Sequence, residues 1–304
     1  MRNSIANGGE VCYNDLEQYC LKEGVVMKIT RDRIFLYMPA HPTERTMEDM
    51  IRHASGFGVG GVEFRSFCPE LKTPDREMAK KLHGMIRERG LSVPCFSVAR
   101  DLVENTERSV TDLFGYAEIC SELEIPYLHH TVALDMHAYL LTPEEQEARF
   151  VYCAEHALRV CEYANKLGVR TIIEDQGFVF NGVRNCERLC ALSDDRIGIV
   201  ADVGNIMFVD ECAEDFILAM KDRVCHAHLK DFIASKEEPK EVKYRSRGGM
   251  YLNDIEIGTG SVNYPAVKAA FDTIGYEGAF GLECCIPKDE NEAERILNFL
   301  EVLS

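Results

Sequence analysis

Eight short apolar or β-branched runs punctuate the chain: RIFLYM (33–38), GVEFRSF (61–67), SVPCFSV (92–98), PYLHHTV (126–132), RTIIE (170–174), IGIVAD (197–202), VCHAHLKD (224–231) and GAFGLE (278–283). Most lack strict polar/apolar alternation, the pattern expected of parallel strands covered on both faces. The segments between them carry helix punctuation. Thr73-Pro74 stands ahead of the periodic stretch MAKKLHGMIRER, which Gly90 closes, so an N-cap, a first-turn proline and a terminal glycine are all present. Thr142-Pro143-Glu144-Glu145 reads as a capping box that starts a helix running to Gly168. Tyr264-Pro265 opens another, closed by Gly275. Strand and helix alternating eight times predict the α/β class and a closed (β/α)8 TIM barrel. An open doubly wound sheet would need a glycine-rich turn after an early strand. The GFGVGG at 56–61 comes before its strand instead.

No linker or shift in composition divides the chain. A single barrel domain is expected over 31–304, with 1–30 as an N-terminal extension of unassigned role. The gap between the last two runs is unusually long, from Asp231 to Gly278. Its first part, KEEPKEVKYRSRGGMYLND (236–254), is polar and glycine-containing. It reads as a long loop above the C-terminal face, a candidate lid.

Charge narrows the function. The chain holds 34 Lys+Arg against 51 Asp+Glu, a net charge of -17, which argues against nucleic acid and anionic membrane surfaces as partners. No run approaches the roughly 20 apolar residues of a membrane span, and the first residues lack the apolar core of a secretory signal. The 13 cysteines are odd in number and irregularly spaced, so reduced thiols and a cytoplasmic location are expected. A homo-oligomer is compatible with all of this.

Barrel enzymes place their chemistry at the C-terminal ends of the strands. Strands five to eight end in Glu174, Asp202, His228 and Glu283, successive steps of 28, 26 and 55 residues. The first two steps are one βα unit each, and the last is a unit plus the long loop. Three carboxylates aimed at one volume would repel and raise one another's pKa values. A divalent cation resolves the conflict, and one nitrogen with several carboxylate oxygens suits Mn first, with Mg, Co or Zn as alternatives. A non-catalytic scaffold subunit would have no reason to retain such a repelling cluster, which argues against that reading.

The motifs IIED (172–175), ADVGN (201–205), HAHLKD (226–231), GTG (258–260) and GLE (281–283) resemble the xylose isomerase-like TIM-barrel superfamily, the sugar-phosphate isomerase/epimerase group. The likeness is strongest over 165–285. It implies one divalent metal held by Glu174, Asp202, His228 and Glu283, with Glu174 and Glu283 as the acid/base pair of an epimerase. The expected activity is that of a metal-dependent sugar isomerase or epimerase working through an enediolate on a carbohydrate. The alternative is a lyase or dehydratase of a keto-sugar or keto-inositol on the same site. Two departures favour the alternative: Asn205 stands where epimerases commonly have His, and Ala234 where some ketose epimerases have Arg. The nuclease branch of the superfamily expects further ligands that Asn205, Leu252 and Asp254 do not supply.

Three other residues enter the expected site. On strand four, His130 is expected to face the barrel mouth rather than its neighbour His129, being nearer the strand end. Asn205 and Lys230 are expected to contact substrate, Lys230 from two residues beyond His228. His226 should be a buried hydrogen-bonding partner of the site, and Glu63, Arg65 and Arg100 lie near strand ends. Arg245 and Arg247 read as solvated loop residues.

Overall fold

The computed structural model describes residues 29–103, 106–133, 140–283 and 289–303. Residues 1–28, most of the expected extension, lie outside the described residues, as do Cys284 and Cys285. Each apolar run carries strand, mostly shorter than the run itself, and the run 61–67 splits into two. In chain order the elements are β1 (Ile34–Leu36), α1 (Met47–Phe57), β2 (Gly61–Val62), β3 (Phe64–Arg65), α2 (Arg76–Arg87), β4 (Cys95–Val98) and α3 (Thr106–Glu122). They continue with β5 (Tyr127–His130), α4 (Pro143–Lys166), β6 (Arg170–Glu174), α5 (Val183–Leu192), β7 (Gly198–Asp202), α6 (Ala213–Ala219) and β8 (Val224–Leu229). Last come β9 (Phe232–Ser235), β10 (Tyr244–Arg245), β11 (Tyr251–Asp254), α7 (Tyr264–Thr273), β12 (Phe280–Leu282) and α8 (Glu292–Val302).

The parallel sheet runs β2-β1-β12-β8-β7-β6-β5-β4-β3. Because β2 pairs with β1 and β3 pairs with β4, the second barrel strand belongs to both ends of that order. The ring therefore closes through Glu63, the single residue between β2 and β3. Gly61 makes the closure sterically feasible. It bridges to Ser92, and a β-carbon at position 61 would overlap the Ser92 carbonyl oxygen.

Local chemistry explains the helix ends. Thr142 and Glu145 form the expected reciprocal capping box on α4, with Pro143 in the first turn. The start of α2 differs from expectation. Asp75, not Thr73, is the cap, accepting from the Met78 amide at 2.9 Å, because a carboxylate two residues closer to the helix satisfies its free N–H groups. On α7 the cap is Asn263. No disulfide joins the described cysteines to one another. Among the described residues no helix is long and apolar enough to cross a membrane.

Period-two alternation divides the barrel interior into layers. Cys95, Ile172 and Val200 form an apolar floor, with Tyr127 and Cys225 packed against it. One step further along the same strands come Ser97, Glu174 and Asp202. Helices and strands share a separate continuous core outside the barrel, with Phe64, Phe96, Tyr116, Phe216 and Phe271 fully buried in it.

The segment 236–254 is not the open loop its polarity suggests. Its β10 and β11 join β9 in a three-stranded antiparallel sheet. Asp210, just past β7, anchors it by accepting from Ser246 Oγ at 2.5 Å and the Gly248 amide at 2.6 Å. Arg247 is exposed, as the sequence suggests, and adds a guanidinium bond to the Phe178 carbonyl at 3.0 Å. Asp231 supports the base of this sheet, accepting from the amides of Phe232, Gly258, Gly260 and Val262.

Two glycines give opposite predictions. Gly56, in α1, has open space where a β-carbon would go, so Gly56→Ala should stabilise by about 0.5–1 kcal/mol. Gly61→Ala must displace the Ser92 backbone and should destabilise by about 1–3 kcal/mol. Urea denaturation midpoints of the two variants check the pair.

Candidate metal centre

Glu174 and Asp202 are the last residues of β6 and β7, His228 lies on β8, and Glu283 follows β12 directly. Their register brings them level: Asp202 is opposite His228, and His228 is opposite Gly281. One ligand atom from each of the four lies within 4.8 Å of the others. His228 Nδ1 is 2.6 Å from Glu174 Oε1 and 3.2 Å from Glu283 Oε2. Asp202 is aimed by its own loop, since its Oδ1 accepts from the amides of Gly204 and Asn205. Asp202 Oδ2 and Glu283 Oε2 are buried without a hydrogen-bond partner.

Lys230, fifth residue of the HAHLKD motif, reaches in from the rim. Its ammonium stands 2.5 Å from Glu283 Oε1, 3.5 Å from Asp202 Oδ2 and 3.1 Å from Asn205 Oδ1. The titration behaviour follows from this crowding. Burial, and then the charges of Glu283 and Glu174, push Asp202 well above the carboxylate range in spite of Lys230. Glu283 is also buried, but Lys230 and His228 outweigh that and hold it below the usual range. Burial would lower His228; Glu63 and Glu174 win and raise it well above 6.5. The cluster thus lacks enough positive charge to ionise every carboxylate, which is the condition a divalent cation relieves. The donor set fits one: a nitrogen and three carboxylates, two of whose buried oxygens accept no hydrogen bond among the described residues.

The positions expected from the sequence are mostly brought together here. His226 is buried and its Nε2 bonds Glu63 Oε1 at 2.8 Å. Asn205 starts the turn after Asp202, and its Nδ2 is buried without a partner. The exception is His130. Ser97 and Ile172 line the barrel interior, and the residue level with both is His129. Its Nδ1 lies 3.0 Å from Ser97 Oγ and its Nε2 4.0 Å from Glu174 Oε2. His130 faces the other way, with Nδ1 against the Thr131 carbonyl at 3.0 Å. Alternation decides this: His129 shares a face with Tyr127, which packs on the barrel floor. Burial drops both imidazoles to about 4, so His129 meets the site as a neutral ring.

Three further expectations are changed. Glu63 does not reach a mouth but lies fully buried beneath the cluster. Arg65 bonds the Tyr37 carbonyl and Cys68. Arg100 pairs with Asp112 at 3.0 Å. Tyr37, which the pattern of ionisable strand ends does not mark, stacks on His228 with ring centroids 4.3 Å apart and planes at 18°. Its signal in the sequence is its place immediately after β1, the strand-end position of an aromatic residue.

Solved structures share this architecture. A 3-keto-D-glucoside 4-epimerase from E. coli superposes with a TM-score of 0.68 at 15% identity, covering 89% of this chain and 98% of that one. A xylose isomerase-like TIM barrel protein from Mycobacterium smegmatis, in complex with magnesium, gives 0.64 at 15% identity over 84% and 87%. A mannonate dehydratase from Streptococcus suis gives 0.64 at 12% identity over 89% and 93%. At these identities the likeness is one of fold. No curated protein matches the chain by sequence. The xylose isomerase-like TIM barrel family, however, matches residues 51–303, and with the strand-end carboxylates and imidazole in register, the chain belongs to that family.

Proposed function

We propose that this protein is a divalent-metal-dependent isomerase or epimerase acting on a sugar or sugar derivative through an enediolate. The observation that carries this reading is the convergence of Glu174, Asp202, His228 and Glu283 within 4.8 Å. A divalent ion held there would polarise a substrate carbonyl and the neighbouring hydroxyl, acidifying the carbon-bound proton between them. Mn is favoured, with Mg, Co or Zn able to serve. The magnesium complex of the M. smegmatis relative supports a hard divalent ion.

The chain's own groups would do the rest. Glu174 and Glu283 approach the His228 Nδ1 edge from two different strands, an arrangement suited to removing a proton on one side of a substrate and returning one on the other. Return to the same carbon inverts it; return to the neighbouring carbon exchanges aldose and ketose. His129 and Asn205 each present a buried polar atom with no hydrogen-bond partner, which supports their assignment to substrate hydroxyls. Lys230 would hold a substrate oxygen or carboxylate.

A second reading keeps the same metal and base but expels a leaving group from the enediolate, making the enzyme a lyase or dehydratase. Asn205, unable to carry a proton at neutral pH, and the small Ala234 favour it, and the S. suis mannonate dehydratase shows the fold in use for such chemistry. Incubation with keto-sugars and keto-inositols in deuterated water separates the two. An isomerase or epimerase product keeps the substrate's composition and gains deuterium at most, whereas a lyase product is smaller.

Glu174→Gln and Glu283→Gln should each lower turnover at least ~100-fold with the thermal midpoint retained; wild-type turnover in either sinks the acid/base assignment. Metal affinity should depend on pH with a definite sign. Ligation needs Asp202 and His228 Nδ1 free of protons, and both groups hold protons above their ordinary range. Mn2+ binding should therefore weaken on acidification, by about tenfold per pH unit for each proton displaced. For His228 the weakening begins above pH 6.5. Titration calorimetry between pH 8 and pH 5 reads the slope, and a flat profile contradicts the assigned ligands. No Mn2+ uptake and no thermal shift would point to a non-catalytic barrel instead.

A further inference from the structure

Below the cluster lies a second set of polar groups that the proposed chemistry does not use. Its centre is Glu63, the residue through which the barrel closes, with no solvent exposure. Its Oε2 accepts from His228 Nε2 at 3.3 Å, Ser97 Oγ at 3.0 Å and Cys95 Sγ at 3.1 Å. Its Oε1 accepts from His226 Nε2 at 2.8 Å. Space for the carboxylate comes from β12, on the other side of β1: a β-carbon at Gly281 would overlap Glu63 Oε1 and approach His228 Cδ2 to 2.8 Å.

We propose that Glu63 is a positioning residue for the metal centre, holding the Nε2–H of His228 so that Nδ1 is turned toward Glu174, Asp202 and Glu283. Four donors converge on the two carboxyl oxygens of Glu63, the surroundings of a carboxylate. A carboxylate only accepts hydrogen bonds, so the nitrogen facing it must carry a proton. That assignment leaves Nδ1 as the nitrogen free to donate its lone pair upward, the arrangement by which a carboxylate behind a histidine sets both its tautomer and its ring direction. Tyr37 stacked on one face and His226 set edge-on at 86° limit rotation of the ring. The three constraints act on one imidazole from three directions.

Glu63, His226 and His228 also lie close enough together to hold an ion themselves. Their complete burial and the four donors already on Glu63 favour the hydrogen-bonded network. The two cases predict different stoichiometries. The proposal rests on the metal reading above, and its test keeps the two apart.

Mn2+ titrations would compare full-length wild type, Glu63→Gln and Cys95→Ala, each first shown to retain its thermal midpoint. Cys95 donates to the same carboxylate without touching His228. Wild type should take up one ion, Glu63→Gln should bind it ~10–100-fold more weakly, and Cys95→Ala should bind as wild type does. In 15N-histidine-labelled protein, with His228 assigned by His228→Gln, the Nε2–H of His228 should be a slowly exchanging downfield proton. It should be present in both metal-free and Zn2+-loaded wild type and displaced or lost in Glu63→Gln. If Glu63→Gln does not fold, Glu63→Asp, which keeps the charge but withdraws it by one methylene, is read in the same way. Equal affinity in wild type and the Glu63 variant overturns the role, as does an equal loss in Cys95→Ala or the absence of the Nε2–H signal. Two ions in wild type and one in Glu63→Gln would make the lower group a site in its own right. A wild type that takes up no Mn2+ overturns the metal reading itself and this role with it, whereas unaltered binding in the variant overturns the role alone.

Discussion

Like charges held close together in a poorly solvated volume are the constraint around which this barrel is arranged. Glu174, Asp202 and Glu283 converge at the mouth, and Glu63 sits directly beneath them. Two unit charges 4 Å apart interact by roughly 4 kcal/mol at an effective dielectric near 20. A few such repulsions rival the whole stability of a domain, about 5–15 kcal/mol. Basic groups are accordingly drawn in: Lys230 to Glu283 and Asp202, His228 to Glu174 and Glu63, His226 to Glu63, while His129, 4.0 Å from Glu174, stays neutral. Even so Asp202 holds its proton well above the usual range. The residual imbalance is what makes the upper cluster a candidate cation site, while the lower carboxylate meets four donors of the protein.

The scaffold maintains this arrangement by placing each acidic group on rigid backbone. Glu174 and Asp202 end strands, and Asp202 is further fixed by two amides of its own turn. Asp231 gathers four amides at the base of the β9–β11 sheet, and Asp210 ties its tip to the loop after β7. The region over the C-terminal face is therefore built from hydrogen-bonded structure. Glycines at 61 and 281 matter for what they omit, one letting the second strand approach Ser92 and the other leaving room for Glu63.

Much of this could be read along the chain because it depends on short-range periodicity. Eight apolar runs, the Thr142 capping box and the phase of Glu174, Asp202, His228 and Glu283 follow from residues near one another in sequence, together with the rule that barrel chemistry sits at strand ends. Distance to the strand end favours His130, but parity decides for His129: Tyr127 packs on the floor, so the inward face passes through 127 and 129. The segment 236–254 reads as open loop in sequence because a strand pair of two and four residues carries little alternation to detect.

What only the tertiary structure decided concerns pairs far apart in sequence. Glu63 meets His226 across 163 positions and His228 across 165, and no local pattern links a carboxylate on the second strand to imidazoles on the seventh. Tyr37 comes to stack on His228 only because the ring of strands closes. The sequence determined which strands would carry the acidic groups and the histidine, since a period of two and a repeating βα unit set their phase. Barrel closure determined which groups face one another, which remain without a partner, and which of the two nitrogens of His228 is turned toward the metal ligands.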